Sequence, residues 1–137
     1  MIELSLTLIA LAALLALYFG VRYLRTRQFM PYHAVVAGRA WDELEPGVQT
    51  IVRGMLRIIG GAFVTYGFAL LWLLVPLSHG EPWAHWAILT VSAPALGPTL
   101  YVTLALRKFA PTAKTPVVPA SIAIALVLAG VGASWLA

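Results

Sequence analysis

A chain of 137 residues with 61% hydrophobic and only 10% charged side chains, and a mean hydropathy of +0.90, is too apolar for water to be its main solvent. Its net charge of +4 rests on nine cations gathered at the margins of apolar stretches, so no basic domain exists to bind nucleic acid, and membrane lipids are the expected partners. The absence of cysteine excludes disulfides, thiolate metal centres and thiol catalysis.

About 20 apolar residues are needed to cross the hydrocarbon core as a helix. Such stretches occur at residues 4–24, 51–77, 83–106 and 117–136. Runs such as Leu8-Ile9-Ala10-Leu11-Ala12-Ala13-Leu14-Leu15 do not alternate in polarity, which argues against a β-barrel and for helices. The predicted fold class is therefore an all-α membrane protein: a four-transmembrane-helix up-down bundle forming one integral membrane domain over residues 1–137.

The first stretch is preceded only by Glu3, without the basic start of a cleaved signal, so it is expected to remain as a span. It is followed by Arg22, Arg25 and Arg27. The connection after it carries Pro31, and then Ala37, Trp41 and Leu44 at i, i+4 and i+7, which predicts a short interfacial helix within residues 32–45. Pro46-Gly47 closes that segment and opens the second span. Gln49, Arg53 and Arg57 follow at steps of four, and with Arg22, Arg25 and Arg27 they form a candidate basic collar for lipid phosphates or another anion. Snorkelling of each long side chain to the interface is the alternative.

Within the second span Gly60, Gly61 and Gly67 are candidate helix-packing positions. The third span contains Ser92-Ala93-Pro94-Ala95-Leu96-Gly97-Pro98. Each proline removes an amide donor, so a kink or partial unwinding is predicted there. The candidate solute site is Thr90, Ser92, Pro94, Gly97, Pro98, Thr99 and Tyr101, with a packed kink as the alternative. Arg107, Lys108 and Lys114 occupy the next connection. In the last span Ser121, Ala125, Ala129 and Ala133 form a small-residue stripe at steps of four, suited either to packing within the bundle or to a homo-oligomer interface.

All cations lie in the first and third connections, so the positive-inside rule puts both in the cytoplasm and both termini outside. Trp83, Trp86 and Trp135 near the opposite boundary agree with that orientation. No Asp, Glu, Lys, Arg or His lies deep in any span, which disfavours proton relays, ion pathways and metal-dependent hydrolysis. His33 stands without a second histidine on its side of the membrane. No metal, no cofactor and no catalytic residue is expected.

Phe29-Met30-Pro31-Tyr32-His33, followed by Gly38, Trp41, Leu44, Gln49, Arg57 and Gly60-Gly61, resembles a pattern in an uncharacterised family of small bacterial four-helix inner-membrane proteins. The resemblance covers the first half of the chain and implies a bacterial inner-membrane location, with no activity to carry over. In length, helix count and outward N-terminus the chain is also similar to the membrane-associated eicosanoid and glutathione metabolism family. Its Arg, Asn and Glu pattern is not reproduced here, and no glutathione-binding residue transfers. The expected function is non-enzymatic association, as a homo-oligomer or an accessory subunit of an inner-membrane complex. The alternatives are a carrier or channel for a small, weakly polar solute using the third span, and a lipid- or glutathione-type membrane enzyme.

Overall fold

The computed structural model describes residues 1–137 and is all helical: α1 (Ile2–Arg25), α2 (Pro31–Ala37), α3 (Pro46–Ser78), α4 (Pro82–Phe109) and α5 (Val117–Trp135). All but α2 are long and apolar enough to cross a membrane. Their outer faces carry large exposed apolar side chains, among them Leu14, Ile58, Phe68, Val102 and Leu128, a surface suited to hydrocarbon.

The helices close a ring: α1 packs on α3 and α5, and α4 packs on the same two. Ile9, Leu70, Ile88 and Val131, one from each long helix, are fully buried at its centre. The contact of α1 with α3 is the most intimate, because glycines let the two backbones touch. A Cβ added to Gly60 would lie 2.7 Å from the Leu24 nitrogen and 2.8 Å from the Gly20 carbonyl oxygen. One added to Gly67 would meet Leu17 at 2.7 Å. Gly61 faces open space and takes no part in the crossing, whereas Gly20 and Gly130, which the small-residue count passed over, are both closely covered.

Helix ends follow from local chemistry. Proline at the first turn of α2, α3 and α4 forgoes an amide that would have had no helical partner. For that reason α3 begins at Pro46 rather than at 51. At the other end of α3, Glu81 N–H donates to the Pro76 carbonyl and Gly80 N–H to that of Leu77, at 3.0 and 3.1 Å. Gly80 takes φ 72° to complete this Schellman closure, and Pro82 starts α4 at once.

Two expectations require correction. Residues 32–45 do not form one interfacial helix: α2 stops at Ala37, Gly38 turns left-handed at φ 64°, and only a 3₁₀ turn, Trp41–Glu43, follows. The Gln49 amide donates to the carbonyls of Trp41 and Leu44, at 2.9 and 3.2 Å; the Trp41 carbonyl also accepts Leu44 N–H in the 3₁₀ turn, and that of Leu44 is met from α3. Nor does the third span unwind, since α4 is helical from Pro82 to Phe109 through both prolines. Unwinding in lipid would free more backbone groups than the two amides the prolines remove.

Candidate functional site

The interior of the ring is not filled evenly. Between the four long helices, toward the basic end, lies an apolar chamber of about 60 Å³. The walls are Leu15, Ala16 and Phe19 of α1, Phe63 of α3, Leu96 of α4, and Ala120 and Ala123 of α5. Thr99 and Thr103 add hydroxyls, but each already donates to a carbonyl of its own helix, Thr99 to Ala95 at 2.7 Å and Thr103 to Leu100 at 3.0 Å. Such a chamber is too apolar to hold water favourably.

Phe19, Tyr23, Pro116 and Pro119 line both this chamber and a wider hollow of about 380 Å³ beneath it, so the two adjoin across these side chains. The hollow is polar where the chamber is not. Arg22 and Lys114 are the cations on its rim, no carboxylate lines it, and Tyr32 and Thr115 contribute hydroxyls. Tyr23 is the partition: its ring stacks on Phe63 at 6.4 Å, and its hydroxyl meets that of Tyr32 at 2.7 Å. Burial, with the bond to Tyr23, raises the Tyr32 pKa well above that of a free tyrosine, and the nearby Arg22 charge offsets only part of this. The hydroxyl therefore stays protonated.

Thr115 sits in a tightly wound connection. Ala113 N–H donates to Ala110, Thr115 N–H to Ala113 and Val117 N–H to Thr115, all at 2.8–2.9 Å, before α5 begins. This winding buries the Thr115 side chain to 9% exposure and leaves its Oγ1 without any partner. A buried hydroxyl in that condition normally finds a bond.

The rest of the segment around Pro31 is bound up in its own fold. Pro31 starts α2, the Met30 N–H donates to His33 Nδ1 at 3.2 Å, and Phe29 packs edge-on against both His33 and Trp41. Arg53 lies over Trp41 at 5.7 Å and donates to the Arg27 carbonyl at 3.3 Å. Trp41, Gln49 and Arg53 thus tie the segment between α1 and α3 onto the start of α3.

The expected sites are redistributed accordingly. Of the basic collar only Arg22 reaches the hollow. Arg53 is engaged with Trp41, and Arg25, Arg27 and Arg57 are exposed elsewhere. In α4, Thr90, Pro94, Gly97, Pro98 and Tyr101 face outward, Ser92 accepts a 2.9 Å hydrogen bond from Tyr66, and only Thr99 touches the chamber. Ser121, Ala125 and Ala129 are exposed, while Ala133 is buried, so the small-residue stripe of α5 is not the face that packs within the bundle. Lys114, Thr115, Tyr23 and Tyr32 were missed as a group because three separate segments deliver them: α1, α2 and the connection before α5. Three His or carboxylate side chains nowhere converge as metal ligands would.

No family model matches the chain, and no curated protein or solved structure matches it significantly. The reading of its site rests on its own geometry.

Proposed function

We propose that this protein is a four-span, up-down membrane bundle that binds a small amphipathic molecule between its helices, entered from the basic, cytoplasmic end. The observation that carries this reading is that the apolar chamber shares the walls Phe19, Tyr23, Pro116 and Pro119 with a hollow that carries Arg22, Lys114 and Thr115. A ligand with one apolar and one polar end matches that gradient, and concave, mostly apolar sites with few polar groups are the usual form of small-molecule pockets. It keeps the carrier reading but moves its site from the prolines of α4 to the interior of the ring. No nucleophile, metal set or acid–base pair is needed for binding.

Native mass spectrometry of the protein released from its membrane tests it. The wild type is expected to retain or take up a small amphiphile, and Ala123→Leu, which fills the chamber, to lose it while remaining helical. A wild type that stays empty against a panel of short-chain amphiphiles would sink the proposal.

A second reading, association into homo-oligomers or with a membrane-complex partner, is favoured by the outward turn of Ser121, Ala125 and Ala129. Small residues on an outer face permit close helix approach in lipid. Ala129→Leu should then weaken crosslinked or detergent-sized assemblies more than Ile122→Leu does, and equal effects would leave this face to lipid.

A further inference from the structure

We infer, resting on the binding reading above, that the ligand is a single-chain amphiphile with an anionic head, a carboxylate or a phosphate monoester, held at Arg22, Lys114 and Thr115. Three independent features converge on a negative head. Arg22 comes from the last turn of α1 and Lys114 from the connection before α5, and the hollow between them has no acid on its walls. Two cations converging from separate elements without a carboxylate partner form a receptor for a compact anion.

Thr115 supplies the second feature. Thr115 lines this hollow with its Oγ1 buried and unpartnered, so turning the side chain toward an anionic oxygen would give that hydroxyl the hydrogen bond it lacks. Third, α5 begins directly after it, with Pro116 and Pro119 on the same wall. With Pro116 as its N-cap, α5 sets the positive end of its dipole beside the hollow, although Val117 N–H is already bonded to the Thr115 carbonyl and Pro119 has no N–H to offer. The opposing field from the C-terminal end of α1 is weakened because Thr26 N–H already caps the Arg22 carbonyl and Arg22 and Arg25 stand in the last turn.

The chamber decides the other end of the ligand. At about 60 Å³ it is well under the roughly 150 Å³ of an apolar cavity that admits a benzene ring. A space of that volume suits the tip of one alkyl chain and excludes two. A diacyl phospholipid meeting only the exposed arginines would use the outer rim and leave Thr115 and the chamber empty.

The test uses the full-length protein in nanodiscs of a zwitterionic phospholipid, with octanoate, octyl phosphate, octanol and octylamine as probes and the melting midpoint and native mass spectra as readouts. Octanoate or octyl phosphate should bind and raise the midpoint, and whichever is stronger identifies the head. Octanol and octylamine should bind roughly tenfold more weakly or worse. Arg22→Gln with Lys114→Gln should cost roughly tenfold for the anionic probe, Arg22→Lys should restore part of it, and the near-isosteric Thr115→Val should cost several-fold. Octanol binding as well as octanoate, with the Gln variants silent, would overturn the anionic head and leave the binding reading standing. Stabilisation by nanodiscs rich in phosphatidylglycerol that displaces the probes would overturn the single-chain ligand in favour of a rim for lipid headgroups. Failure of every probe to bind, with Ala123→Leu equally silent, would overturn the binding reading itself.

Discussion

The hydroxyl of Tyr66 donates to Ser92 Oγ across the α3–α4 contact at 2.9 Å, and both side chains are buried. Polar pairs of this kind between membrane helices contribute about 0.6–2 kcal/mol. Tyr66→Phe keeps the ring and leaves Ser92 without that donor, so it should lower stability by about 1 kcal/mol in detergent unfolding. The double change with Ser92→Ala should cost less than the sum of the two single changes. His33 offers a second test, through pH. Burial lowers its pKa from the ordinary 6.5, and its neutral Nδ1 accepts the Met30 N–H. Above pH 6.5 the imidazole is neutral whether docked or released, and the stabilising contact is fully present. As pH falls below 6.5 the released form gains a proton that the docked form resists, so docking of α2 weakens toward the depressed pKa. Hydrogen-exchange protection factors over residues 29–44, corrected for the intrinsic pH dependence of exchange, should fall from pH 7.5 to 5, and the His33→Gln variant should lack that pH response.

The crossing of α1 and α3 depends on backbone contact at Gly20 and Gly60. A methyl on Gly60 meets backbone atoms of Gly20 and Leu24 under 3 Å away, so the helices must separate. Gly60→Ala should therefore destabilise by about 1–3 kcal/mol despite its better helix propensity. Gly61→Ala meets nothing and should be neutral or stabilising by up to about 1 kcal/mol. Thermal unfolding followed by circular dichroism separates the two, and equal losses would mean that the crossing is looser than its geometry. The prolines of α4 act differently. Pro94 and Pro98 sit on an outward face of a helix that stays wound, so replacing both with alanine should leave stability equal or higher and should not touch ligand binding.

For the molecule as a whole, orientation follows from charge. Arg22, Arg25, Arg27, Arg39, Arg53 and Arg57 cluster with Arg107, Lys108 and Lys114, while Glu3 and Glu81 carry the side-chain charges of the other end. The proposed arrangement puts the polar hollow in the cytoplasm and both termini outside. A reporter active only in the cytoplasm should be silent when fused at Ala137 and bright when inserted between Lys108 and Lys114. The opposite pattern would place the mouth of the ligand site on the outer surface and change where its ligand comes from.

The all-helical class and the four helices long and apolar enough to cross a membrane were legible in the residues, because hydrocarbon imposes a single rule on every backbone group that length and apolarity reveal. Gly60 and Gly67 were legible as packing positions for a similar reason, since only the smallest residue permits backbone contact. Which face of each helix points inward was not legible. With nearly every side chain apolar, neither Ser121, Ala125 and Ala129 nor the Pro94 and Pro98 face carried a polarity contrast to mark it as outer. The single helix read across residues 32–45 failed because Gly38 turns left-handed and ends α2, after which Gln49, four residues beyond the segment, helps hold the short 3₁₀ turn by donating to the Trp41 and Leu44 carbonyls. The candidate site was hidden for the same physical reason: its pieces at Arg22, Tyr32, Lys114 and Thr115 are far apart in sequence. Only the closure of α1 against α3 and α5 brings them around one hollow and leaves a threonine hydroxyl buried without a partner.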